Sequence, residues 1–111
     1  MSQVITVTAL ITAKAGEEKV VAEALKTAEH EVQGEPGCES YVLHQNIENA
    51  AQFLMLERWT SQQHLTEHEQ APAFKKLAGA QGNRAESQVI KSAAVTAHGG
   101  EAETGPPCGE H

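Results

Sequence analysis

Residues 53–59 read Phe-Leu-Met-Leu-Glu-Arg-Trp, and residues 60–63 read Thr-Ser-Gln-Gln. Alternation along the first seven places Phe53, Met55, Glu57 and Trp59 on one face of an extended chain, with Leu54, Leu56 and Arg58 on the other. The next four fit a capping box, in which the Thr60 hydroxyl takes an orphan backbone N–H and Gln63 reaches back. A strand therefore hands over directly to a helix. Pro72 interrupts that helix after Ala71, because proline has no N–H to donate, and the helical path resumes over residues 73–80. Residues 81–85 read as a loop and 87–96, Ser-Gln-Val-Ile-Lys-Ser-Ala-Ala-Val-Thr, as a last strand.

Working towards the N-terminus, residues 38–45 have the β-branched and aromatic content of another strand, and the polar residues 46–51 connect it to the next. Before it, Gly34, Pro36 and Gly37 stop a helix, glycine accepting a left-handed closing conformation. That helix is marked by Val20, Val21, Ala24, Leu25, Ala28 and Val32 at helical spacing, with Glu17 and Glu18 suited to its first turn. The first strand, residues 4–13, sets Ile5, Val7, Ala9 and Ile11 against Thr6, Thr8 and Thr12. The order strand, helix, strand, strand, helix, strand predicts an α+β, ferredoxin-like βαββαβ domain: a four-stranded antiparallel sheet with two helices on one face. Leu54 and Leu56 on the uncovered face favour packing against a second sheet, and hence a homodimer.

The chain has 111 residues, enough for one domain with one core. The domain spans residues 1–97, and residues 98–111, rich in Gly, Pro and Glu, form a tail without apolar periodicity. A formal charge of −7, with no cluster of Lys and Arg, argues against nucleic acid as a partner. No apolar run approaches the roughly 20 residues that span a bilayer, and no secretory signal is apparent, so no membrane partner and a cytoplasmic location are expected. Cys38 and Cys108 show no C-x-x-C spacing, which points to two thiols rather than a disulfide or a metal ribbon.

Glu35-Pro36-Gly37-Cys38 with Tyr41, then residues 53–59 ending Glu57-Arg58-Trp59, then Leu65-Thr66-Glu67-His68 and Pro72 follow one another at intervals that resemble the antibiotic-biosynthesis monooxygenase family. The likeness runs from about Val4 to Val95. It implies a dimeric α+β barrel, with a cleft between sheet and helices in each monomer. Some members of that family are cofactor-independent oxygenases of quinols or polycyclic phenols, others degrade haem, and fold is transmitted more reliably than function.

On that resemblance Trp59 and Glu57 face the cleft, the indole stacking on a flat ligand and the carboxylate meeting a phenolic hydroxyl. The alternative is a core tryptophan beside a carboxylate paired with a cation. His68 matches the L-x-x-H position and can take a proton near neutral pH, or else it is a half-exposed helix histidine. Tyr41 can donate to a substrate oxygen, or fill the core. His44, three residues along the same strand, points the other way. Phe53, Met55, Leu65 and Phe74 complete the apolar wall. His64 and His68, four residues apart, share a helix side, yet no third ligand can be named and no metal site is assigned. Haem-degrading relatives use an asparagine on the first strand, where this chain has Ala9, and a histidine beyond the proline, where residues 73–80 have none.

The expectation is therefore a monooxygenase without cofactors, acting on a planar phenol or hydroquinone and molecular oxygen, with His68 as base, Glu57 or Tyr41 as helper and Trp59 as stacking wall. The rival is a non-catalytic dimer that binds a small molecule, for instance in a stress response. Metal sequestration through His64, His68, His98, Cys108 and His111, and haem degradation, stand behind both.

Overall fold

A computed structural model of the chain describes residues 3–96. Strand β1 (Ile5–Ala13) is followed by helix α1 (Glu18–Val32), strands β2 (Cys38–Gln45) and β3 (Gln52–Trp59), helices α2 (Gln62–Gln70) and α3 (Pro72–Gln81), and strand β4 (Ala85–Ser92). The strands form one antiparallel sheet in the order β2-β3-β1-β4, the ferredoxin-like arrangement that the element order predicts. Period-two alternation is kept throughout the centre. Val7 and Ile11 of β1, with Phe53, Met55 and Trp59 of β3, are buried against Val21, Leu25, Ala28 and Val32 of α1.

The break expected at Pro72 separates two helices, because the residue before a proline is pushed out of the helical region: Ala71 is extended (φ −78°, ψ 156°) and Pro72 starts α3 at the position where its missing N–H does no harm. Several local expectations are corrected. The cap of α2 is Ser61, whose side chain accepts from the His64 N–H, rather than Thr60, and Gln63 bonds Glu67 instead of reaching back. Gly34 does not close α1 with a positive φ. Val20 is 48% exposed, on the outer side of α1. Strand β4 begins at Ala85, opposite Ala13, and ends at Ser92, opposite Thr6, since the β1 edge with which it pairs runs out there. The expected tail, with His98, Cys108 and His111, lies outside the described residues.

Two irregularities position the site. Residues 35–38 form a tight turn in which the Cys38 N–H donates to the Glu35 carbonyl at 3.1 Å, with Pro36 second and Gly37 third at φ +79°. That is the type II turn, which takes proline and glycine at those two places. A side chain at Gly37 would also collide with the His64 ring, so the turn can rest directly on α2. The second irregularity is a bulge in β2. Cys38 lies opposite Trp59, but Tyr41 lies opposite Glu57, a shift of one residue between Cys38 and Ser40. A one-residue shift moves a side chain to the other face. The bulge therefore brings Tyr41 onto the same inner face as Cys38.

Candidate active site

Between the inner face of the sheet and the helices lies a cavity of about 300 Å³, at the small end of ligand-sized pockets. Its floor follows the sheet register. Tyr41, Glu57, Val7 and Lys91 form one row across the four strands. Met55, Ala9 and Val89 belong to the next row. Leu65 and His68 of α2 and Phe74 and Leu77 of α3 contribute to the rest of the wall, which is predominantly apolar.

His68 is 3% exposed and stands at the centre of a ring cluster. Trp59 stacks on it with centroids 4.5 Å apart and planes at 30°. Tyr41 and Phe74 meet it edge-on at 5.7 Å and 5.3 Å. Its Nδ1 lies 2.7 Å from Glu35 Oε1. A carboxylate can only accept, so in that pair Nδ1 carries the hydrogen, and it is the neutral ring that keeps a lone pair on Nε2. His68 is thus held in ring position, tautomer and charge partner at once. The turn at 35–38 makes this pairing possible, because it carries Glu35 from the end of α1 to the side of α2.

Glu57 is 7% exposed and accepts from Trp59 Nε1 at 3.0 Å. Burial pushes its carboxyl from 4.5 up to about 7, against the lowering effect of the Trp59 bond, with further raising by Glu69 and Glu35 and lowering by Lys91. Near neutral pH it can exchange a proton with a bound group. Burial also raises the Tyr41 hydroxyl well above its ordinary value, with the charge of Glu57 adding to the effect. Tyr41 is therefore a standing hydrogen-bond donor.

The Glu57 shift has a measurable consequence. The folded state holds this proton more tightly than the unfolded chain does, so the stability it contributes is full below about pH 4.5 and is lost as pH rises through about 7. Relative to Glu57→Gln, the wild-type melting temperature should fall progressively between pH 5 and pH 8. Parallel pH profiles for the two proteins would contradict the raised value.

Of the residues expected at the site, His68, Glu57, Tyr41, Met55, Leu65 and Phe74 line the cavity. Trp59 and Phe53 are not in its wall: both are buried, and Trp59, wholly inaccessible, lies behind His68 and Glu57. Trp59 thus touches the groups that would touch a ligand. His44 is exposed on the outer face, as expected. The paired-histidine idea finds His64 Nδ1 at 2.9 Å from the hydroxyls of both Thr60 and Ser61, while His68 holds Glu35. Among the described residues no three His, Cys, Asp or Glu side chains come together as a metal site.

Sequence reasoning did not assign Glu35, Glu69, Gln81 and Lys91 to the site. A signal existed for two of them. Glu35 opens the Glu-Pro-Gly-Cys turn, and Lys91 continues the inner-face alternation of Ser87 and Val89 with a charge.

Residues 4–80 match the profile of a family described as antibiotic biosynthesis monooxygenase. No curated protein matches the chain. Among solved structures, a protein from Pseudomonas aeruginosa superposes with a TM-score of 0.81 at 24% identity, covering 86% of this chain and 98% of its own. A conserved protein from Bacteroides thetaiotaomicron has a TM-score of 0.80 at 20% identity, over 85% of this chain and 100% of that one. A candidate antibiotic biosynthesis monooxygenase from Caulobacter crescentus has a TM-score of 0.77 at 21% identity, over 86% and 92%. At these identities the likeness is one of fold.

Proposed function

The chain belongs to the antibiotic biosynthesis monooxygenase family, and from that premise we propose that it oxygenates a planar phenol or hydroquinone with molecular oxygen and no cofactor. The observation that carries this reading is His68 in the wall of an apolar cavity, paired with Glu35 at 2.7 Å, with Glu57 and Tyr41 in the same wall. Such a site binds a flat ring and removes a proton from it. His68 Nε2 takes the hydroxyl proton, Glu35 stabilises the imidazolium, and the Tyr41 hydroxyl donates to the anion that forms.

The phenolate is electron-rich enough to pass one electron to O₂. The resulting pair combines at a ring carbon that bears hydrogen, para to the oxygen in 1-naphthol and ortho to it in a hydroquinone, forming a C–O bond and, with the proton returned by His68, a hydroperoxide. Loss of the ring hydrogen with cleavage of the O–O bond then yields a quinone and one water, so that phenol plus O₂ balances quinone plus water. The protein supplies the base, the orientation and the anion stabilisation.

The test is oxygen consumption by chelator-treated protein with 1-naphthol and with 1,4-naphthohydroquinone, without flavin or nicotinamide. Uptake above autoxidation, with one O₂ per product, is expected. Saturable binding of these compounds without any uptake would replace the enzyme by the small-molecule-binding dimer.

We also infer that two copies associate through the outer face of the sheet. Val42, Leu56, Thr8 and Ile90 form a row there, with Leu54 and Leu10 in the next. Leu56 is 37% and Ile90 53% exposed, a patch that a second sheet would cover. Sedimentation should give a mass of about 24 kDa, twice 11.9 kDa, and Leu56→Glu should shift it towards the monomer. A wild-type monomer at micromolar concentration would count against the barrel. No helix among the described residues is long and apolar enough to cross a membrane.

A further inference from the structure

Lys91 is the one lysine or arginine among the described residues of the cavity wall, whose other charged or ionisable members include Glu57, Glu69 and His68. It stands there because β4 pairs with β1: Val7 lies opposite both Glu57 and Lys91. Two strand spacings of about 4.8 Å put the Lys91 backbone roughly 10 Å from that of Glu57, with a single valine between them on the floor. One end of the cavity thus carries Tyr41, Glu57 and His68, and the β4 end carries an ammonium group.

Lys91 Nζ is 2.7 Å from Glu69 Oε2, and the two side chains are 43% and 28% exposed. An ion pair this open to water adds little net stability and exchanges partners readily. A ligand carboxylate that replaces Glu69 leaves the ammonium paired, and returns the Glu69 side chain to solvent. Without Lys91 the same carboxylate would meet the charges of Glu57 and Glu69 in a chain of net charge −7. The Lys91 charge is also felt at Glu57, whose proton it helps to release.

We propose that Lys91 is a specificity-determining residue, which selects an aromatic ligand bearing a carboxylate at the end remote from its hydroxyl, with Glu69 holding Lys91 until that carboxylate arrives. This rests on the reading of the cavity as the ligand site, and it narrows the substrate class from phenols in general to hydroxyaryl carboxylates. A neutral phenol gains nothing at the β4 end, whereas the carboxylate gains a charge-assisted hydrogen bond.

The matched probes are 6-hydroxy-2-naphthoate and 2-naphthol, titrated calorimetrically at pH 8 into the full-length protein. The wild type should bind the naphthoate about tenfold more tightly or better, the scale of one charge-assisted bond. Lys91→Met should bring the two affinities to within about twofold, Lys91→Arg should keep the preference, and Glu69→Gln should strengthen naphthoate binding by freeing the ammonium. Equal binding of both probes to the wild type overturns the role of Lys91 and leaves the cavity reading standing. So does a Lys91→Met protein that melts earlier with its preference intact, which would make the ion pair a structural clasp. Failure of both probes to bind at millimolar concentration overturns the cavity reading and the Lys91 role with it.

Discussion

Replacing His68 by alanine should lower kcat for phenol-dependent oxygen uptake by roughly 10²-fold or more, the usual scale for loss of a positioned general base. KM should change far less, because Met55, Leu65 and Phe74 still line the cavity. Glu35→Gln gives a sharper version of the same test. An amide is nearly the same size as a carboxylate but does not stabilise an imidazolium, and it can donate to Nδ1 and so move the hydrogen to Nε2. This variant should keep its melting temperature within a few degrees and still lose most of its turnover at neutral pH. If His68→Ala and Glu35→Gln both lower kcat and raise KM by similar modest factors, with earlier melting, the dyad is a structural bond and the chemistry lies elsewhere.

Trp59→Ala should be the most destabilising single substitution in the site. Its side chain is wholly inaccessible to solvent, and deleting an aromatic ring of that kind costs about 3–5 kcal/mol. For a domain of this size, each kcal/mol is worth about 4–8 °C, so a fall of at least about 12 °C in melting temperature is expected. The loss includes more than volume. Trp59 is the platform on which His68 stacks and the donor that Glu57 Oε1 accepts from. Trp59→Phe separates these contributions, since it keeps a ring beneath His68 and removes the N–H. Carbon NMR of the Glu57 carboxyl in that variant should show its titration moved above about 7, because the lost bond had been lowering it. A Trp59→Ala protein melting within a few degrees of wild type would show that the site is not built on this residue.

The same distinction explains how far the site could be read without coordinates. Period-two alternation put Phe53, Met55, Glu57 and Trp59 on one face, and all four are buried together. It could not say which of them meet empty space and which meet other side chains. Trp59 and Phe53 are covered, and Glu57 and Met55 reach the cavity, for reasons that lie in the elements packed above them.

By itself the amino-acid sequence determined the element order, the inner and outer faces of β1 and β3, the break at Pro72 and the family likeness. These follow from backbone preferences and side-chain periodicity, which act over a few residues and can be read along the chain. Only the tertiary structure decided the contacts that give the site its chemistry. Glu35 and His68 are 33 positions apart and meet because a Pro-Gly turn rests against α2. Tyr41 shares the inner face with Cys38 only through the bulge in β2, which reverses the parity that simple alternation assigns. Lys91 reaches the cavity because β1 aligns it with Val7 and Glu57. Pairing register and long-range packing are properties of two or more segments at once, and no local pattern in any one of them contains the answer.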